Sequence, residues 1–245
     1  ERAQLLEAIA TRRYVGLAGP PGAGRSALME SALREVERRG WKAEAWPLVS
    51  GTASIEGFIE ALARVVPTPD VADATPGLIA LTGAEDTTTP ERWAASLRAM
   101  AEREVARLAT LDVSDAVLFV RHPELAPAPV RAFLDAARDA KRLPLALVVA
   151  TEGDAEIVLG PVGVDAIKAF VASRFGHDVA ADRALVSALA SASGGLPGHL
   201  EALLELLVAR AELTLADGAW RFVGDATKLA LSPRLADAIA SRVAL

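Results

Sequence analysis

The sequence predicts an α/β fold: a mostly parallel sheet with helices on both faces, followed by a helical region and the start of a further hairpin-and-helix unit. Short apolar runs alternate with amphipathic ones over residues 1–150, a pattern that calls for strands and helices in turn. A glycine-rich loop separates the first apolar run from the helix behind it, and from about residue 156 the apolar spacing becomes helical. The 245 residues, 52% of them hydrophobic, are enough to bury a sizeable core without covalent staples.

Residues 2–12 read as a helix leading into Tyr14-Val15-Gly16-Leu17-Ala18, an apolar run with the character of a buried strand. Gly19-Pro20-Pro21-Gly22-Ala23-Gly24-Arg25-Ser26 follows. It fits G-x-x-x-x-G-K-[ST] at every fixed position except one, where Arg25 stands in place of lysine. The amphipathic helix Ser26 to Arg38 completes the strand–loop–helix context that this motif requires. In that geometry backbone N–H groups and a helix N-terminus surround a phosphate, the lysine brings a compact charge and the hydroxyl binds Mg²⁺. Gly19, Gly22, Ala23, Gly24, Arg25, Ser26 and Ala27 are therefore the candidate nucleotide-binding residues of this loop. A guanidinium is a planar fork where an ammonium is a point donor, so Arg25 keeps the charge and changes its shape. Arginine is also the usual cation of this chain, which has only four lysines (Lys42, Lys141, Lys168 and Lys228) among 26 basic residues.

Further along, Lys42 to Val49 reads as a second strand and Ile55 to Val66 as a helix. Residues 67–90 are rich in Pro, Thr, Asp and Gly around Leu78-Ile79-Ala80-Leu81. So long an irregular stretch is usually functional or mobile, and its apolar piece is a candidate anchor for a partner. Thr89-Pro90 signals a helix start, with a hydroxyl cap and proline at the first helical position, and the helix is predicted to run to Leu108. Ala116 to Val120 and Leu145 to Ala150 are apolar throughout, as strands buried on both faces are, and helix 127–140 joins them. Val164 to Phe175, Ala181 to Ser191 and Gly198 to Arg210 read as helices. The last carries Leu200, Leu203, Leu204 and Leu207 on one face, a core stripe. Leu213 to Val223, with Asp217-Gly218 between apolar flanks, reads as a β-hairpin, and a final helix begins near Pro233. The expected divisions are a P-loop-like α/β domain over 1–155, a helical lid over 156–212 and the beginning of a next domain over 213–245. The chain starts at Glu1 without methionine and stops at Leu245 inside a helical pattern, so it is expected to be a fragment of a longer protein.

A P-loop enzyme that hydrolyses its nucleotide needs acidic groups at the end of a second buried strand, one to hold Mg²⁺ and one to polarise the attacking water. The candidate strand, Ala116 to Val120, ends instead in Arg121-His122-Pro123-Glu124. A cation and an imidazole occupy the carboxylate positions, and a fixed arginine charge beside the metal position repels Mg²⁺. Glu124 takes the role only if the strand runs three residues further, which Pro123 disfavours. Asp112 and Asp115 lie before the strand, at its wrong end. No catalytic residue, metal site, Ser-His-Asp arrangement or paired-carboxylate site is read from the sequence.

The order of the phosphate loop, the 116–120 strand, the 145–151 strand and a helical segment carrying Gly194-Gly195-Leu196-Pro197 resembles the nucleotide-binding module of STAND-class signalling ATPases, relatives of AAA+ proteins. The resemblance covers nearly the whole chain. It implies that Gly195-Leu196-Pro197 is the lid motif that packs against the adenine, and that Thr151 is the polar residue sensing the γ-phosphate at the end of the fourth strand. It also implies that the hairpin with Trp220 and the helix after Pro233 lead into a next helical domain. The departures are Arg25, the degenerate acidic pair Arg121-His122, and Glu152 where an arginine is common. All of them fall on catalysis. The expectation is a degenerate STAND/AAA+-like pseudo-ATPase, a regulatory or scaffolding unit of a larger signalling protein, holding ATP or ADP weakly or not at all and without Mg²⁺. The alternative is a working ATP-dependent switch in which Arg25 replaces the lysine and Glu124 or a partner subunit supplies the carboxylate. A transcription regulator is a third class, requiring a DNA-binding domain not seen in this sequence.

Composition narrows the remaining classes. The net charge of −6 argues against direct nucleic-acid binding, which depends on clustered cations. Without cysteine there is no disulfide or thiolate metal site. No apolar run approaches membrane-spanning length and no secretory signal opens the chain, so a cytoplasmic location, a protein partner or other domains of a larger chain, and an oligomer are the expectations. His122 and His177 are expected to be exposed, His199 to lie on the lid surface beside the Gly-x-Pro motif, and the four tryptophans to serve core packing.

Overall fold

Runs such as Val117-Leu118-Phe119-Val120 leave no polar face, so they are stable only in the middle of a sheet covered on both sides. The computed structural model, which describes residues 1–11, 14–46, 54–66, 90–111, 113, 115–140, 143–152 and 155–229, places them there. The chain divides by its contacts into two units, one comprising Glu1–Ala18 and Arg25–Val158 and the other Gly19–Gly24 and Leu159–Leu245.

The first unit is a five-stranded parallel sheet in the order β2-β3-β4-β1-β5: β1 (Tyr14–Ala18), β2 (Lys42–Trp46), β3 (Ala116–Val120), β4 (Ala146–Thr151) and β5 (Ile157–Val158). Its helices are α1 (Arg2–Thr11), α2 (Arg25–Arg38), α3 (Ile55–Val65), α4 (Pro90–Leu108) and α5 (Ala128–Asp139). Strand alternation decides which helix meets which face. Ala116, Leu118 and Val120 of β3 and Leu147 and Val149 of β4 share one cluster with α3, α4 and α5. The intervening side chains face the other way, toward α1 and α2.

The α3 helix shows how sequence sets this packing. Ser54 caps it, its Oγ accepting the Gly57 N–H at 3.0 Å. Ile55, Phe58, Leu62 and Val65 then fall on one buried stripe. Phe58 meets Trp46 edge-on with ring centroids 5.2 Å apart and Phe133 at 5.4 Å, arrangements that favour aromatic quadrupoles beyond their buried area.

The helical part of the second unit comprises α6 (Val164–Phe175), α7 (His177–Ala181), α8 (Arg183–Ser193) and α9 (Pro197–Ala209), followed by the antiparallel hairpin β6 (Leu213–Ala216) and β7 (Ala219–Phe222). The stripe Leu200, Leu203, Leu204 and Leu207 lies in its core with Ile167, Val171, Leu185 and Leu189. Trp220 of the hairpin packs on this core, edge-on to Phe175 at 5.1 Å. Asp217 and Gly218 both take positive φ, 54° and 76°, as the predicted two-residue turn demands.

Three boundaries differ from the sequence reading. Residues 181–191 are not one helix with Ala181 inside it, because Asp182 caps α8 by accepting the amides of Ala184 and Leu185, and Ala181 ends α7. His177, expected in a turn, opens that short helix and is exposed. The stretch from 156 was read as purely helical, yet Ile157 and Val158 pair with Leu17 and Ala18 as β5. Residues 47–49 of the predicted second strand, the 67–89 segment with Leu78-Ile79-Ala80-Leu81, and the helix predicted from Pro233 lie outside the described residues.

Phe58 sits fully buried between two aromatic rings, so Phe58→Ala should lower the unfolding free energy of the α/β unit by about 3–5 kcal/mol. Urea unfolding followed by tryptophan fluorescence, with Trp46 as the adjacent reporter, measures it.

Candidate functional site

The glycine-rich segment links β1 to α2 as the motif requires. The Ala23 N–H donates to the Pro20 carbonyl at 3.0 Å, which curls the loop. Gly22 and Gly24 hold φ of 84° and 91°, a region costly for any residue with a Cβ. Gly22 and Ala23 are buried and Gly19 half-buried.

Within the second unit, the start of α9 lies directly on this loop. The Gly198 N–H donates to the Gly22 carbonyl at 2.9 Å. A Cβ built on Gly22 would stand 3.3 Å from Cδ2 and 3.5 Å from Nε2 of His199, and one on Gly24 would stand 3.8 Å from Cγ of Pro197. The preceding turn is fixed in its own right. Gly194 ends α8 in the left-handed region, and Gly195 accepts the Val162 N–H at 2.8 Å where a Cβ would meet Pro161 and the Val162 carbonyl at 2.8 Å. Gly19, Gly22, Ala23, Gly24 and Pro197 are thus brought together. His199, expected on the lid surface, is half-buried against the loop.

The remaining candidates belong to the first unit. Ser26 and Ala27 are exposed in the first turn of α2. Arg25 donates from Nη1 to the Thr151 carbonyl at the end of β4, 3.2 Å away. One of the five guanidinium donors is therefore directed to a strand end. Parallel pairing of β1 with β4 sets Ala18 opposite Thr151 and so brings the two within reach.

At the end of β3, the strand stops at Val120 as Pro123 predicts, and Pro123–Leu125 forms a single 3₁₀ turn. The Arg121 N–H donates to the Trp46 carbonyl at 2.9 Å, while its side-chain Nε is buried without a hydrogen-bond partner among the described residues. His122 is not the exposed residue expected. Its ring is only 14% exposed and its Nδ1 lies 3.0 Å from Oε1 of Glu124. Strand extension was the only route seen for bringing Glu124 toward the site, yet the 3₁₀ turn does so. Glu124 lines a groove of about 230 Å³ together with Arg25, Arg131, Arg138, Thr151 and Glu152. Tyr14 borders the same groove. Burial pushes its phenol above the ordinary value, against the opposing pull of Arg138.

One structural residue went unread. Glu156 accepts the Gly16 N–H on β1, and a Cβ at Gly16 would crowd the same carboxylate at 3.0 Å. A carboxylate before a two-residue apolar pair has no periodicity to reveal it. Among the described residues no group of three His, Asp or Glu side chains is arranged to hold a metal ion, and no helix is long and apolar enough to cross a membrane.

No protein-family profile and no curated protein matches the chain. Solved structures similar to the chain at low identity include the following three. AMPPCP-bound DnaA from Aquifex aeolicus shares 12% identity over 84% of this chain and 60% of its own, with a TM-score of 0.45. Drosophila ORC bound to DNA shares 14% over 84% and 55%, with a TM-score of 0.41. The HORMA:CdnC:Trip13 complex of E. coli MS115-1 shares 12% over 99% and 78%, with a TM-score of 0.44. The chain thus spans a little over half of the first two. Its own parallel five-stranded sheet with helices around it and a glycine-rich loop after β1 is of the P-loop α/β kind, and a helical region follows.

Tyr14 is the sole tyrosine, so absorbance at 295 nm reads its ionisation directly. Half-titration is expected above pH 10 in the folded chain. Because the folded pKa is the raised one, stability holds below the ordinary phenol value and falls as the pH rises through the shifted one. Ionisation at the ordinary value in folded protein would contradict the burial.

Proposed function

We propose that this chain is a nucleotide-binding module of the STAND/AAA+ kind that has lost efficient hydrolysis and acts as a regulatory or scaffolding unit of a larger cytoplasmic signalling protein, through protein partners or self-association. The observation that carries it is the fate of the loop cation: Arg25 donates to the Thr151 carbonyl. The loop meets the demands of a phosphate cradle, since Gly22 and Gly24 hold backbone angles that a side chain would forbid. Gly19, Gly22, Ala23, Gly24, Ser26 and Ala27 would present backbone or hydroxyl groups to the phosphates, and Pro197 would border the base. A Mg²⁺ site does not fit. Ser26 offers one exposed hydroxyl, and the end of β3 places Arg121 and His122 where carboxylates are needed. The anchored loop and lid motif therefore support binding and conformation, not turnover.

A second reading has one observation in its favour. Glu124 shares a groove with Arg25 and Thr151, so a carboxylate stands at the strand ends even though β3 carries none. In a working ATPase it would act as the water-polarising base.

Steady hydrolysis separates the two. Each lost electrostatic contribution costs about 10²–10³ in rate, and two are missing. A phosphate-release assay should show no sustained turnover. Multiple turnovers abolished by both Ser26→Ala and Glu124→Gln would overturn the proposal in favour of the second reading.

Calorimetric titration with ATP and ADP, with and without Mg²⁺, tests binding. Weak affinity with little metal dependence is expected. Arg25→Lys restores a compact donor to the loop, so affinity should rise by about 10- to 100-fold, the range for one charge-assisted contact. Unchanged affinity would mean that the loop no longer holds phosphate.

A further inference from the structure

Among the described residues, His199 is the titratable side chain that the second unit brings to the phosphate loop. The loop itself, Gly19-Pro20-Pro21-Gly22-Ala23-Gly24, contains none, and neither does the 159–163 segment that crowds Gly19 and Gly195. The turn of residues 193–196 adds none. α6 meets the start of α9 through Ala166 and Phe170, around a small apolar cavity of about 140 Å³ with Pro197 and Leu200. The nearest acid on α9 is Glu201, and it pairs with Arg174 at 3.0 Å. Among the described residues of its own unit, the segments named above bring no carboxylate beside the His199 imidazole where it faces Gly22, and its Nε2 lies 3.5 Å from where a Gly22 side chain would begin.

We infer that His199 is the proton-dependent cation of the phosphate loop, so that this loop holds the phosphates of a nucleotide or pyrophosphate more tightly when the imidazole is protonated. Two observations converge on this. The loop's own cation gives an Nη1 donor to the Thr151 carbonyl, which leaves fewer of its N–H groups for a phosphate in the cradle. The Gly198 N–H, bonded to the Gly22 carbonyl, fixes the next residue over the loop. Imidazole is the side chain whose charge ordinarily changes between about pH 5 and 8, and its protonated form adds a donor and a charge to a phosphate oxygen. The inference rests on the reading of the loop as a phosphate cradle.

Calorimetric titrations with ADP and with inorganic pyrophosphate at pH 5.5 and 8.0 test it on the whole chain, its His199→Gln variant and its His199→Arg variant. Protonation of the ligand itself is common to all three proteins, so differences between them isolate residue 199. Affinity of the unaltered chain should rise about tenfold more than that of His199→Gln as the pH falls. His199→Arg should bind tightly at both pH values. Equal pH dependence in the unaltered chain and His199→Gln overturns the inference while leaving the phosphate cradle standing. No binding of either ligand by any of the proteins overturns both. Should His199→Gln fail to fold, the imidazole resonances of the unaltered chain decide. With only three histidines to assign, a His199 signal that pyrophosphate leaves unmoved overturns the inference.

Discussion

The parallel pairing of β1 with β4 is the constraint on which the rest depends. It runs in register from Tyr14 opposite Leu147 to Ala18 opposite Thr151, so the end of one strand lies level with the end of the other. Parallel strands place their carboxyl ends on the same edge of the sheet, where ligands of open α/β folds bind. The glycine loop leaves from that edge at Ala18, α2 returns to it at Arg25, and the Thr151 carbonyl is the acceptor waiting there. A one-residue slip would turn Leu147 and Val149 away from their cluster with α3 and α5, so the hydrophobic pattern that stabilises the sheet also fixes the site geometry.

The contacts at the strand ends are set by side-chain shape as much as by charge. Arginine in the lysine position offers several donors at once, and one of them goes to the Thr151 carbonyl. At the end of β3, Arg121 has a buried Nε without an acceptor among the described residues, an arrangement that costs stability. The imidazole beside it takes Glu124 as its partner.

Much of this architecture was legible from periodicity. The all-apolar runs at 116–120 and 146–150 became central strands, and the leucine stripe of α9 became core, because spacing alone decides those faces. The Asp217-Gly218 turn was readable because only certain residues tolerate two consecutive positive φ angles. What escaped depends on three-dimensional return. A two-residue strand has no period, so Ile157 and Val158 looked like the preamble to a helix. Glu156, His122 with Glu124, and His199 against Gly22 are contacts made when distant segments or a tight turn come back together. The motif named the loop, but not where Arg25 would point, since an arginine in that position has a choice of acceptors that linear spacing does not rank.

The brevity of β5 limits how this protein can associate. An edge strand normally exposes a row of unpaired amides and carbonyls onto which another chain can add. Here the edge beside β1 is two residues long, with Val158 69% exposed, too short to template a stable added strand. Self-assembly at that side must therefore proceed through side-chain surfaces, whose complementarity is specific, instead of through main-chain zippering, which accepts almost any sequence.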